Sequence, residues 1–120
     1  MTKEKRILII DDEEGIRESF KLILSNFYNL TLASNADEAE ERLSNGSFDL
    51  VLLDIKMPRI NGLDYLKKLK ESKPSLPVII ITGYQSVETA QEAIRNGAAD
   101  YIPKPFDSKQ ILKAVAETLK

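Results

Sequence analysis

Two short apolar runs end in acid: Ile7-Leu8-Ile9-Ile10 leads into Asp11-Asp12, and Leu50-Val51-Leu52-Leu53 leads into Asp54. Two further candidate strands end in complementary groups. Val78-Ile79-Ile80-Ile81 reaches the hydroxyl of Thr82, and Ala99 to Ile102 reaches Pro103-Lys104-Pro105. Three carboxylates sharing one cleft repel, at roughly 4 kcal/mol for two unit charges about 4 Å apart at an effective dielectric of 20. Such a cleft must hold protons, a cation or both. Oxygen ligands suit a hard cation, and Mg²⁺ fits best, since it takes one or two carboxylates, keeps waters and adds a phosphate oxygen. Ca²⁺ is disfavoured, because no spaced Asp/Asn/Gly loop is present. Aspartate carboxylates can accept phosphoryl groups covalently. A lysine ammonium and a threonine hydroxyl beside them would neutralise a phosphoryl group in transfer.

Each residue also has a plainer reading. An Asp at a strand end is commonly a cap or turn residue. Thr82-Gly83 could be turn chemistry, Lys104 a solvated loop lysine, Tyr101 a core aromatic and Phe106 a lid over the last helix. The joint reading gains because four of the five strand ends carry polar groups able to serve one site; the second strand offers only Ala33-Ser34.

The elements that must position these groups follow from periodicity. Arg6 to Ile10 reads as a first strand. An amphipathic helix follows from about Glu14 to Asn26, with Ile16, Phe20, Ile23, Leu24 and Phe27 on one stripe. Leu30-Thr31-Leu32 is a short second strand. Asn35 and Glu38 form a capping box that opens a helix through Ala36, Ala39 and Leu43, closed by Gly46. Asp49 to Leu53 is the third strand. Beyond the Met57-Pro58…Asn61-Gly62 loop, Leu63, Leu66 and Leu69 mark a third helix that must stop near Pro74. Pro77 opens the fourth strand, and Ser86 caps a fourth helix carrying Val87, Ala90, Ala93 and Ile94, ended by Asn96-Gly97. Ala99 to Ile102 is the fifth strand. Asp107 or Ser108 caps a last helix bearing Ile111, Leu112, Val115 and Leu119. Alternating strands and helices imply a parallel sheet covered on both faces, with right-handed crossovers. Ligands of such sheets bind at the carboxyl ends of the strands, where strand order reverses. In the order 2-1-3-4-5 that point lies between strands one and three, the two that end in Asp11-Asp12 and Asp54.

Composition narrows the class. The 120 residues, 42% hydrophobic and 30% charged, fit one globular domain spanning 1–120 with no repeat, low-complexity tract or linker. A net charge of −2 leaves no electrostatic footprint for nucleic acid or an acidic membrane. The absence of cysteine rules out disulfides and thiolate metal sites and fits a cytosolic protein. The absence of histidine excludes His-based acid–base chemistry and His-ligated zinc within the chain. No signal-peptide core or membrane span is legible.

Taken together, the residues resemble the receiver domain of two-component response regulators over essentially the whole chain. The carriers are Asp11-Asp12, Asp54…Met57-Pro58…Asn61-Gly62, Thr82-Gly83, Gly97-Ala98-Ala99-Asp100-Tyr101 and Lys104-Pro105-Phe106. The resemblance implies a flavodoxin-like (βα)5 fold with a five-stranded parallel sheet, order 2-1-3-4-5. It implies that Asp54 is the phosphoacceptor, taking a phosphoryl group from a partner's phosphohistidine. Asp11 and Asp12 would form the acidic pocket. Asp12, Asp54 and the backbone carbonyl of Lys56 would hold Mg²⁺, while Thr82 and Lys104 contact the phosphoryl oxygens. Tyr101 would match the aromatic that turns inward on activation, and Lys104-Pro105 a cis peptide. Lys56 and Tyr84 would flank the phosphoryl group and shield it from water, a pair shared with receivers of the single-domain sporulation phosphorelay type. A fairly long-lived phosphoform is expected from that pair. The implied partners are a sensor histidine kinase or histidine phosphotransfer protein, docking at the first helix near Ile16 and at Pro105-Phe106. An effector domain or downstream protein would use the face of helix four, strand five and helix five. Direct nucleic-acid or membrane binding is not expected. A cytoplasmic location, a monomer or phosphorylation-linked dimer, and no independent enzymatic turnover complete the expectation. The stretch from Thr82-Gly83-Tyr84 to Asp100-Tyr101 also looks like receivers attached to ATP-dependent transcriptional activators.

Two other classes compete. An Mg²⁺-dependent small-molecule phosphohydrolase would use Asp54, but the Asp-x-Asp spacing of the haloacid dehalogenase class is broken by Lys56, and no cap domain is present. A non-phosphorylated docking module would have no need of the intact set Asp11, Asp12, Asp54, Thr82 and Lys104. Nucleotide binding is disfavoured, because Asp12-Glu13-Glu14-Gly15 replaces a Gly-rich phosphate loop.

Overall fold

The apolar runs become strands because β-branched and leucine side chains fill both faces of a parallel sheet. The computed structural model describes residues 4–57, 59–83 and 86–120. In chain order its elements are β1 (Arg6–Ile10), α1 (Glu14–Leu24), β2 (Asn29–Ala33), α2 (Ala36–Asn45), β3 (Leu50–Leu53), β4 (Lys56–Met57) and β5 (Ile60–Asn61). They continue with α3 (Gly62–Ser72), β6 (Val78–Thr82), α4 (Val87–Arg95), β7 (Asp100–Pro103) and α5 (Ser108–Thr118). The main sheet is parallel with the order β2-β1-β3-β6-β7. Counting its own five strands in sequence, that is 2-1-3-4-5, the flavodoxin-like arrangement. The pair β4 and β5 is an added antiparallel hairpin in the loop that follows Asp54.

Alternation along the strands divides the core in two. Leu8, Ile10, Val51, Leu53, Val78 and Ile80 pack against α2, α3 and α4. Ile7, Ile9, Leu50, Leu52, Ile79 and Ile81 pack against α1 and α5 through Phe20, Leu24, Ile111 and Val115. The caps follow the sequence chemistry. Asn35, Asn61, Ser86 and Asp107 each accept a backbone N–H from the first turn of their helix. Glu38 reaches back as in a capping box, but it accepts the N–H of Ser34, one residue before the Asn35 cap, at 2.7 Å. Gly97 takes a φ of +102°, the left-handed backbone that ends α4.

Two expectations change. Phe27 is exposed rather than on the apolar stripe, because α1 ends at Leu24 and helical spacing no longer applies beyond it. On α4 only Ala93 is buried; Val87 and Ile94 are 73% and 51% exposed and form no part of the core. Phe106 packs against the cluster that includes Ile111, Ala114 and Val115 of α5, and it also stacks on Phe20 of α1, with ring centroids 5.0 Å apart. Among the described residues no helix is long and apolar enough to cross a membrane.

Candidate functional site

Strand register brings the acids together. Ile10 is level with Leu53, so the next residues, Asp11 and Asp54, leave the sheet side by side. Sheet hydrogen bonding continues into them: the Asp54 amide donates to Ile10 and the Asp11 amide to Ala33. Both follow a residue that points toward α2 and α3, so alternation turns them toward the α1 and α5 side. Lys104 enters from that side. Pro103 is level with Thr82, and the Lys104 amide donates to the Thr82 carbonyl at 2.9 Å.

The result is a cation shared among carboxylates. Lys104 Nζ lies 2.9 Å from Asp11 Oδ2, 2.9 Å from Asp54 Oδ2 and 3.3 Å from Glu13 Oε1. Asp11 and Asp54 are 2% and 3% exposed, and the Lys104 side chain 12%. Their remaining oxygens are also engaged. Asp11 Oδ1 accepts from the Glu13 amide and Asp54 Oδ1 from the Lys56 amide, both at 2.9 Å. Burial pushes the Asp11 carboxyl above its ordinary range, opposed by its bonds to Lys104 and the Glu13 amide. Burial alone would lower the Lys104 ammonium, but its bonds to Asp11 and Asp54 outweigh that and hold it above the usual lysine value. One carboxylate oxygen from each of Asp11, Asp12, Glu13 and Asp54 lies within 4.8 Å of the others. Four acids against one ammonium leave negative charge in excess, and the all-oxygen donor set suits a hard divalent cation.

Of the remaining predicted residues, the structure describes Thr82, Tyr101 and Lys56. Thr82 is fully buried at the end of β6, beside the Lys104 backbone. Tyr101 is half-buried on β7; burial, then the Asp54 charge, raise its phenol. The side chain of Lys56 is exposed. Tyr84 lies outside the described residues. The peptide between Lys104 and Pro105 is cis, as the resemblance implies.

Sequence reading missed two contributors and the reason for a third residue, Gly62. Glu13 joins the cluster and Lys104, and its signal was a third acid directly after Asp11-Asp12. Arg17 donates Nη1 to the Asp11 carbonyl at 2.8 Å, one helical turn beyond Glu13. Gly62 opens α3 directly against Ile55, where a Cβ would collide with the Ile55 Cα and carbonyl. That close approach fixes the turn between Asp54 and Lys56.

Comparison with known proteins agrees with this geometry. The family model for the response regulator receiver domain matches residues 7–116. The transcriptional regulatory protein ZraR of Klebsiella oxytoca is 40% identical over 114 residues, 94% of this chain and 26% of that protein. A CheY-like receiver domain protein of Methanospirillum hungatei JF-1 superposes with a TM-score of 0.90 at 37% identity, covering 96% of this chain and 93% of that one. A Burkholderia pseudomallei response regulator, whose structure holds a phosphorylated aspartic acid, a calcium ion and citrate, superposes with a TM-score of 0.84 at 30% identity, covering 92% and 66%. The chain spans 26% to 50% of the length of the first curated relatives it matches. With the parallel sheet, the paired acids at its switch point and the matched model in agreement, the chain belongs to the response regulator receiver domain family.

Proposed function

We propose that Asp54 is the phosphoacceptor of this receiver domain and takes its phosphoryl group from a phosphohistidine on a sensor kinase or phosphotransfer protein. One observation carries the reading. Asp54 is a buried carboxylate, aligned by the Lys56 amide and by Lys104, and it borders three further acids. In the transfer an Asp54 oxygen attacks phosphorus. A new O–P bond forms, the bond from phosphorus to the donor imidazole breaks, and the nitrogen keeps that electron pair and takes a proton from solvent. Lys104 and Thr82 contact the phosphoryl oxygens and balance their charge. Asp12, Asp54 and the Lys56 carbonyl would hold Mg²⁺, with Asp11 in support. When bound, the ion neutralises charge on the acids and the incoming phosphoryl group. Turnover of small phosphoesters is not favoured, because Lys56 occupies the position where a phosphohydrolase of the Asp-x-Asp class needs its acid.

Phosphorylation is read out on the face of α4, β7 and α5. Thr82 and Tyr101 connect that face to the site, and Val87 and Ile94 supply exposed apolar surface on α4. A kinase or phosphotransfer helix docks on α1 near Ile16 and on the Pro105-Phe106 loop. In longer regulators the output face would act on an effector domain. Lys56 and Tyr84 screen the phosphoryl group, so the phosphoform persists well beyond seconds, and Tyr84→Ala shortens its lifetime. Following adduct decay by intact mass checks this, and loss within seconds in the wild type would contradict it. The acceptor itself is tested by incubation with acetyl phosphate, with Mg²⁺ or EDTA. A single phosphoryl adduct is expected only in the wild type with Mg²⁺. An equal adduct in Asp54→Asn would overturn the assignment.

A further inference from the structure

The loop that carries the acids is not held by an ordinary helix cap. Glu13 stands at the N-cap position of α1 without a side-chain cap bond. Asp12 is instead suspended between two tethers. On one side the Glu13 amide donates to Asp11 Oδ1 at 2.9 Å. On the other, the Asp11 carbonyl accepts Arg17 Nη1 at 2.8 Å, while the Asp11 amide is already bonded to Ala33 in β2. Arg17 is half-buried on α1, and its own amide donates to the Glu13 carbonyl at 3.1 Å. Arg17 therefore spans the turn, its guanidinium on the Asp11 carbonyl and its amide on the Glu13 carbonyl. It addresses a peptide carbonyl and not a carboxylate. Glu38, whose carboxylate feels the Arg17 charge, already accepts the Ser34 amide and hydroxyl at 2.7 and 2.8 Å.

We propose that Arg17 is a positioning residue for the acidic site: by anchoring the Asp11 carbonyl it fixes the peptide that aims Asp12 toward Asp54. The inference rests on the Mg²⁺-binding reading above. Outer contacts that orient metal ligands commonly change metal affinity by about ten- to a hundredfold when removed. Charge alone predicts the opposite sign, since a cation near the site opposes metal binding.

Wild type, Arg17→Met and Arg17→Lys are compared by Mg²⁺ titration calorimetry and by amide hydrogen exchange in EDTA. Positioning predicts that Arg17→Met weakens Mg²⁺ binding about ten- to a hundredfold. It also predicts faster exchange at the Glu13 amide with unchanged protection at Ile9 in β1, and Arg17→Lys recovers part of both through its ammonium. Unchanged or tighter Mg²⁺ binding in Arg17→Met overturns the proposal, and so does a lower melting temperature without loss of affinity, which marks a mere strut. A wild type that binds no Mg²⁺ refutes the site reading itself, and this inference with it. Intact wild-type binding with an indifferent Arg17→Met refutes the inference alone.

Discussion

At Lys104 one ammonium serves Asp11, Asp54 and Glu13, so three carboxylates share its charge. Removing one partner of a buried ion pair costs more than the pair contributes, because the other charges remain desolvated. Lys104→Met should therefore destabilise the protein in EDTA by about 3 kcal/mol, measured by urea unfolding at neutral pH. The ammonium is held above its ordinary pKa of 10.5, so it contributes stability that is fully present below that pH and lost as pH rises through the higher folded value. The difference between wild type and Lys104→Met should shrink under strongly alkaline conditions. Asp11 titrates with the same sign, but from the acidic end of the scale. Burial raises its carboxyl above 3.8, so its contribution is present below that pH and lost as pH rises through the folded value. At neutral pH the ionised group is a liability. Asp11→Asn should raise the melting temperature in EDTA while weakening Mg²⁺ binding; a lower melting temperature would show that the Lys104 bond outweighs burial. At this scale sequence reading went far, because strand ends are read from apolar runs. Asp11, Asp12, Asp54 and Lys104 were legible as converging groups, whereas Arg17 was not, since a guanidinium bound to a backbone carbonyl leaves no pattern of residue types.

The turn after Asp54 is where elements lock together. The β4–β5 hairpin returns the chain to Asn61, whose side chain accepts the Leu63 and Asp64 amides to start α3. Gly62 then seats that helix on the Ile55 backbone, leaving no room for a Cβ. Gly62→Ala must push the turn aside, at about 1–3 kcal/mol, the usual cost of overpacking. Urea unfolding should register that loss, and acetyl phosphate labelling should fall with it, since the Lys56 amide leaves Asp54 Oδ1. Unimpaired labelling in a destabilised variant would mean that the turn does not position Asp54. Sequence reading treated this stretch as a plain loop, because two-residue strands carry no periodicity. The helices were placed well where caps announced them, as at Asn35, Ser86 and Asp107. Apolar stripes misled at α4, where Val87 and Ile94 are exposed. Hydrophobicity reports that a residue can be buried, not which surface covers it.

Across the whole molecule the acids stand at the one place where strand order reverses, between β1 and β3, with the cation delivered from β7 at the far edge. That layout was legible because five short strand signals alternating with amphipathic helices admit few topologies. Metal binding and folding are then linked. At a hundredfold excess over its dissociation constant, Mg²⁺ should stabilise the wild type by about 2.7 kcal/mol. The shift, read by thermal unfolding, should be much reduced in Asp12→Asn. The central claim is that Asp54 and no neighbouring acid carries the phosphoryl group, and the most direct measurement locates it. The chain is labelled with acetyl phosphate and Mg²⁺, reduced with borohydride so that an acyl phosphate becomes an alcohol, then digested and mapped by mass spectrometry. The reduced residue should be position 54 alone. A reduced Asp11, Asp12 or Glu13, with Asp54 intact, would contradict it.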